Sequence, residues 1–138
     1  MTDQPGQAAF AALARSSVVH VAFAFLAMGA WATFANRSAG LSPALIAGLV
    51  QGALSGGITL VLKRFLEAAS ARLPGVWAVV APPMISCAVI LAVLVSAHLI
   101  AGTRNILATI SLPYAVSSTY AWVYSWAMAR GRTAGATA

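Results

Sequence analysis

Four long apolar segments of the sequence constrain what this chain can fold into. They cover about residues 16–36, 43–63, 76–99 and 105–128, and they contain no acidic residue and no Lys or Arg except Lys63 at the end of one segment. A helix needs about 20 predominantly apolar residues to cross the hydrocarbon core of a bilayer. We therefore predict an all-α integral membrane protein with four transmembrane helices.

The composition supports one membrane domain. Of the 138 residues, 61% are hydrophobic and only 7% are charged, whereas soluble domains are about 25% charged. The net charge of +6 comes from residues at the ends of apolar segments, with no basic face interleaved with aromatics. We therefore expect the lipid bilayer as partner and no nucleic acid. Cys87, the single cysteine, is expected to be a buried thiol without a disulfide.

Short turns separate the segments and predict two antiparallel hairpins. In the first turn Gly40 breaks the helix, and Ser42 followed by Pro43 is typical of an N-cap and a first-turn proline. Pro82 and Pro83 should kink or loosen the third helix. Residues 130–138 are polar and small, and we predict a disordered tail there.

The distribution of basic residues predicts the orientation in the membrane. Residues 1–14 look like a short cytoplasmic tail without a signal peptide. The positive-inside rule puts both termini in the cytoplasm of a multi-pass protein of the inner (plasma) membrane. Six basic residues fall on the predicted inner side and two on the outer: Arg15, Lys63, Arg64, Arg72, Arg130 and Arg132 against Arg37 and Arg104.

Small residues at every fourth position mark packing surfaces. Residues four apart share one face of a helix, and small residues let helix backbones approach closely in lipid. One series lies in the second segment and one in the fourth. We expect one series to pack inside the bundle and the other to join two copies in a homodimer, with the assignment open. The two series are Gly48, Gly52 and Gly56, and Ser111, Ala115 and Thr119.

A row of polar side chains lies beside the glycines on the same predicted helix and consists of Gln51, Ser55 and Thr59. Together with Tyr114 these residues are candidates for a substrate path. Interhelical hydrogen bonding is the favoured interpretation for Ser55 and Thr59. Gln51 lies near mid-membrane and needs partners for several donors and acceptors, so a functional role is as plausible as a structural one. The hydroxyl of Tyr114 is a candidate partner for Gln51.

Two arginines are the only charged residues predicted at the outer side. Arg37 follows Asn36, and Arg104 precedes Asn105. Together the arginines could bind an anion such as a phosphate, or each could reach separately to lipid phosphates. The two histidines lie toward opposite ends of the membrane, so we expect no shared metal site.

The absence of acidic residues from the predicted spans narrows the range of possible functions. A proton-coupled exchanger normally carries a membrane-embedded carboxylate, which argues against the small multidrug exchangers despite their equal number of spans. We find no catalytic triad, metal cluster or nucleotide loop, so we expect neither an enzyme nor a cofactor. The expectation is a transporter or flippase-type carrier of a polar, anionic or lipid-linked small molecule. The alternative is a non-transporting accessory or assembly subunit of a larger membrane complex.

Overall fold

The computed structural model describes residues 17–136. It contains four α-helices and no strand within this range. The predicted tail at 1–14 and the last two residues, 137–138, lie outside it. The helices are α1 (Ser17–Ala35), α2 (Leu41–Arg72), α3 (Trp77–Ile100) and α4 (Ile106–Ala136), and a short 3-10 helix (Arg37–Ala39) follows α1.

Three of the helices have the length and apolar composition to cross a membrane. The apolar segments are Val18–Ala35, Leu41–Arg72 and Trp77–Ile100. Large apolar side chains such as Phe23 and Leu49 are exposed, whereas several polar side chains are buried. This inverted pattern confirms a helical membrane protein. Helix α4 has 31 residues but is rich in hydroxyl-bearing side chains, and its crossing stays a prediction.

Helix α2 is the centre of the bundle. It contacts the other three helices, while α1 and α3 do not meet anywhere in the described ranges. Helix α1 packs antiparallel to α2, and α4 packs along α3. The main apolar core lies where α2, α3 and α4 converge. This core cluster comprises Leu62, Leu66, Ile90, Leu94, Ile110 and Ala121.

Glycines bring α1 and α2 into backbone contact. A methyl group added at Gly48 would overlap the Thr33 hydroxyl and lie 2.9 Å from the carbonyl oxygen of Gly29. At Gly52 it would lie 2.8 Å from the carbonyl oxygen of Phe25. The glycine series therefore packs within the chain, against α1. The series at residues 111, 115 and 119 of α4 is exposed instead.

Two predicted boundaries are wrong. Helix α2 begins at Leu41, and no side-chain hydrogen bond caps it. Ser42 is therefore inside the first turn and is not the N-cap. The N-cap position is held by Gly40, whose φ of 97° is strained for residues with a side chain.

At the other end of the chain, α4 continues to Ala136, so residues 130–136 are helical and not a disordered tail. Alanine and arginine favour helix. The guanidinium of Arg130 also lies 3.8 Å from the centre of the Trp126 ring one turn earlier, a stacking contact that favours continuation of the helix.

Helix α3 continues through Pro82 and Pro83, both buried. Because Pro82 has no N–H, the carbonyl of Ala78 lacks its usual helical donor. The Ser70 hydroxyl donates to that oxygen at 2.8 Å. A side chain near the end of α2 thus replaces the bond that the proline removes.

Candidate functional site

A buried chain of hydrogen bonds joins α2 to α3. Gln51 and His98 are both fully buried, and the Oε1 atom of Gln51 lies 2.9 Å from the Nε2 atom of His98. The amide nitrogen of Gln51 donates to the Ser55 hydroxyl at 2.9 Å. On the other side of the ring, the Nδ1 atom of His98 lies 2.9 Å from the hydroxyl of Thr103.

The donors and acceptors of this chain fit a neutral histidine. Since the amide nitrogen of Gln51 donates to Ser55, the amide oxygen accepts a hydrogen bond from the N–H at Nε2 of His98. The Nδ1 atom then accepts from the Thr103 hydroxyl. Each polar side chain of this network has a partner, so the network fixes α3 and the following turn against α2.

A second buried amide joins α1 to α4. Asn36 is only 1% exposed. Its side-chain nitrogen donates to the Thr109 hydroxyl at 2.7 Å and to the carbonyl of Ala32 at 2.9 Å. Its oxygen accepts the backbone N–H of Asn105 at 3.1 Å.

Two more bonds reinforce this junction: the Asn105 amide donates to the carbonyl of Ala35 at 3.0 Å, and the Trp31 indole donates to the carbonyl of Ala108 at 2.9 Å. We call these contacts of residues 31–36 with 105–109 the Asn36 clamp. It closes one end of the bundle, the end that the charge distribution predicts to be outer.

At the other end α1 and α4 enclose a cleft. Its volume is about 670 Å³, and α1, α2 and α4 line it, so the two helices that the clamp holds together both contribute to the cleft here. Its size suits a small ligand. The polar lining residues are His20, Thr59, Lys63, Arg64, Glu67, Ser117 and Tyr120.

A carboxylate bridge connects α2 and α4 beside this cleft. The hydroxyl of Tyr124 donates to Glu67 at 2.6 Å, and the ring of Tyr124 stacks on Tyr120 with 5.4 Å between centroids. The ammonium of Lys63 lies 3.9 Å from the same carboxylate oxygen. Glu67 therefore fixes the C-terminal part of α2 to α4, as the Asn36 clamp fixes α1 and α4 at the other end.

The predicted path residues fall in separate places. Thr59 lines the cleft and donates to its own helix at the carbonyl of Ser55, 2.8 Å away. Gln51 and Ser55 belong to the buried network. Tyr114 packs on the core cluster, and Gln51 has Ser55 and His98 as its partners instead of Tyr114.

The outer arginines lie at exposed positions near the clamp. The guanidinium of Arg37 donates to the carbonyl of Phe34 at 2.9 Å and lies 4.0 Å from the centre of the same residue's ring. Arg104 is also exposed. Arg37 thus bonds to the end of the helix that precedes it. This geometry agrees with the interpretation in which each arginine reaches separately to lipid phosphates.

Sequence reasoning missed the roles of His98 and Asn36. For Asn36 a signal existed, because both outer turns pair an arginine with an asparagine and the two asparagines, Asn36 and Asn105, prove to be bonded to each other. Cys87 is half-buried. Within residues 17–136 no three His, Cys, Asp or Glu side chains cluster closely enough to hold a metal ion.

Comparisons of the chain with protein-family models, with curated proteins and with solved structures find no match.

Proposed function

We propose that this protein is a small membrane carrier with the cleft as its substrate chamber. One observation carries the proposal: α1 and α4 are hydrogen-bonded at the Asn36 clamp and both line a cleft of about 670 Å³, with polar and apolar side chains, at the other end. A bundle that is closed at one end and open at the other has the form that alternating access requires.

The proposal includes four spans with both termini in the cytoplasm of the plasma membrane. Near the start of α4, Thr109 bonds Asn36. In the second half of α4, Tyr124 bonds Glu67. Helix α4 therefore runs beside the spanning part of α2, and a bilayer that α2 crosses would also surround α4. With the basic ends of α2 facing inward, the cleft opens to the cytoplasm.

The packing also suggests what moves. Helices α1 and α2 are held in backbone contact by the glycine series, and His98 fixes α3 to α2. The Asn36 clamp and the Glu67–Tyr124 bridge are smaller contacts, each centred on a few side chains. We expect the outer end of α4 to leave the clamp while its packing on α3 and in the main apolar core is kept.

Sided cysteine labelling in native membranes tests this. In a Cys87→Ser background, Ser117→Cys places a thiol in the cleft, and a membrane-impermeant maleimide reports which side reaches it. A carrier predicts reaction from the cytoplasmic side, and reaction from the outer side once Asn36→Ala weakens the clamp. The matched control is Gly57→Cys, at an exposed position where an added Cβ meets no neighbour and lipid should block the reagent.

The competing function is an accessory subunit of a larger complex or a partner for a second copy. It is favoured by the exposed series at residues 111, 115 and 119 of α4. In that case Ser117→Cys would react from one side alone in every variant, or would become reactive only after the protein is extracted from its membrane. Either result would overturn the carrier proposal.

A further inference from the structure

We propose that the cleft receives the phosphate-bearing headgroup of an anionic lipid, which enters sideways from the cytoplasmic leaflet between α1 and α4. This inference rests on the proposed carrier function and names its substrate class. It moves anion recognition from the outer arginines to the inner end of α2.

The charge of the cleft favours an anion. Lys63 and Arg64 line it together with one carboxylate, that of Glu67. The pair of Lys63 and Glu67 is loose, with 3.9 Å between the charged atoms and side chains that are 58% and 46% exposed. Such an exposed pair is weak. Tyr124 of α4 also donates to Glu67 at 2.6 Å, and the two cations with one carboxylate leave the cleft with an excess of one positive charge.

The hydroxyl groups of the lining suit the polar part of a headgroup. The hydroxyl-bearing side chains of Thr59, Ser117 and Tyr120 line the cleft together with the basic pair. Hydroxyls bond to phosphate esters and to the polyols attached to them as donors and as acceptors. A phosphate held by Lys63 and Arg64 would therefore place its polar substituent among these three groups.

The sides of the cleft suit acyl chains. Phe23 on α1 and Val116 on α4 both line it, and their side chains are 70% and 50% exposed. Helices α1 and α4 are joined at the clamp end. At the opposite end, the apolar side chains of the cleft walls face lipid. A headgroup could enter there while its chains remain in the bilayer. This lateral access favours a lipid over a free phosphate.

The test is lipid translocation by the purified full-length protein in phosphatidylcholine vesicles. One set carries a trace of phosphatidylglycerol with a fluorophore on its acyl chain, and the other carries phosphatidylcholine labelled in the same way. Dithionite bleaches the outer leaflet, so the unbleached fraction reports movement between leaflets. We expect the anionic probe to move at least about tenfold faster, the factor that one charge-assisted hydrogen bond supplies.

Matched variants test whether Lys63 and Arg64 recognise the anionic headgroup. Lys63→Gln with Arg64→Gln should abolish the preference for the anionic probe. Arg72→Gln removes a cation at the same end of α2 that bonds its own helix at the carbonyl of Ala68 and should leave the preference intact. All three positions are exposed, and unchanged unfolding midpoints would show that the variants fold.

Three results would overturn the inference. The first is equal movement of both probes, and the second is an anionic preference that survives loss of Lys63 and Arg64. The third is a stationary lipid probe combined with uptake of radiolabelled glycerol phosphate, which would show a free phosphate as the substrate. In each case, labelling of Ser117→Cys from the cytoplasmic side, and from the outer side after Asn36→Ala, would still support the carrier, so the two proposals fail separately.

Discussion

The Nε2 atom of His98 lies 2.9 Å from the Oε1 atom of Gln51, although the two residues occupy different positions along their helices. Gln51 lies about ten residues, or roughly 15 Å, from the start of α2, whereas His98 is about two residues from the end of α3. Helix α3 therefore ends well short of the N-terminal end of α2. In the turn that follows it, Thr103 completes the network.

Removing either member of this pair should destabilise the bundle. Gln51→Leu leaves a buried imidazole nitrogen and the Ser55 hydroxyl without their partner, and the cost of such an orphaned group is about 1–3 kcal/mol. We expect His98→Leu to cost a similar amount. Unfolding of the detergent-solubilised protein by a graded addition of SDS measures both.

The double variant separates pairing from general damage. With both side chains replaced by leucine, no imidazole or glutamine amide is left unpaired, so the loss should be less than the sum of the single losses. The coupling energy should be about 0.6–1.7 kcal/mol, the range of interhelical hydrogen bonds in membranes. Strictly additive losses would show that the bond contributes nothing. Thr59→Val, which removes a bond within α2 alone, should change stability by less than about 0.5 kcal/mol.

Gly48→Ala should destabilise the protein through the contact between α1 and α2. The added methyl group would overlap the Thr33 hydroxyl and approach the carbonyl of Gly29. Backbone cannot move aside as a flexible side chain can, so we expect a loss of about 1–3 kcal/mol, measured by the same SDS titration.

Gly57→Ala is the matched control on the same helix. A methyl group there has no neighbour within 4 Å, and alanine is the better helix former. The variant should be as stable as the parent or slightly more stable. If both alanines had the same effect, packing against α1 would not be the reason for the glycine at position 48.

The all-helical membrane class follows from the sequence because it depends on local quantities. Segment length, apolar content and breakers such as Gly40 set the start of each helix within a few residues, whereas α2 and α4 end well beyond the apolar segments. Spacing by four also identified Gly48 and Gly52 as a packing face. Which helix packs on that face depends on how the hairpins dock, which is a property of the whole bundle. The same spacing also occurs on α4, so spacing alone could not assign the two series.

The pairing of polar side chains could not be predicted for the same reason. A histidine near the end of one helix and a glutamine inside another meet only when the axial offset of the two helices is known. The predicted depth of Tyr114 in the membrane was the sole reason to favour it as the partner of Gln51. The cleft was missed as well, because it arises from the separation of α1 and α4 and not from any motif.

Ser70→Ala should cost about 1–3 kcal/mol, although it removes only one hydroxyl. Ser70 is 2% exposed, and its hydroxyl supplies the donor that the carbonyl of Ala78 lacks. Pro82→Ala restores a backbone N–H at the helical position. The double variant should therefore regain most of the stability that Ser70→Ala loses, and failure to do so would show that the hydroxyl acts in another way.

Asn36→Ala should release the outer end of α4 while the rest of the bundle stays folded. It removes the acceptor of the Asn105 N–H and the donor to Thr109, so backbone amides 105–109 should exchange with deuterium faster by about tenfold or more, the equivalent of 1.4 kcal/mol. Hydrogen exchange followed by mass spectrometry measures this in nanodiscs. Amides around Leu62 and Leu94 in the core cluster should keep their protection. Equal loss of protection in the core would mean that Asn36 supports the whole fold, and the clamp would then be too strongly coupled to the bundle to open during a transport cycle.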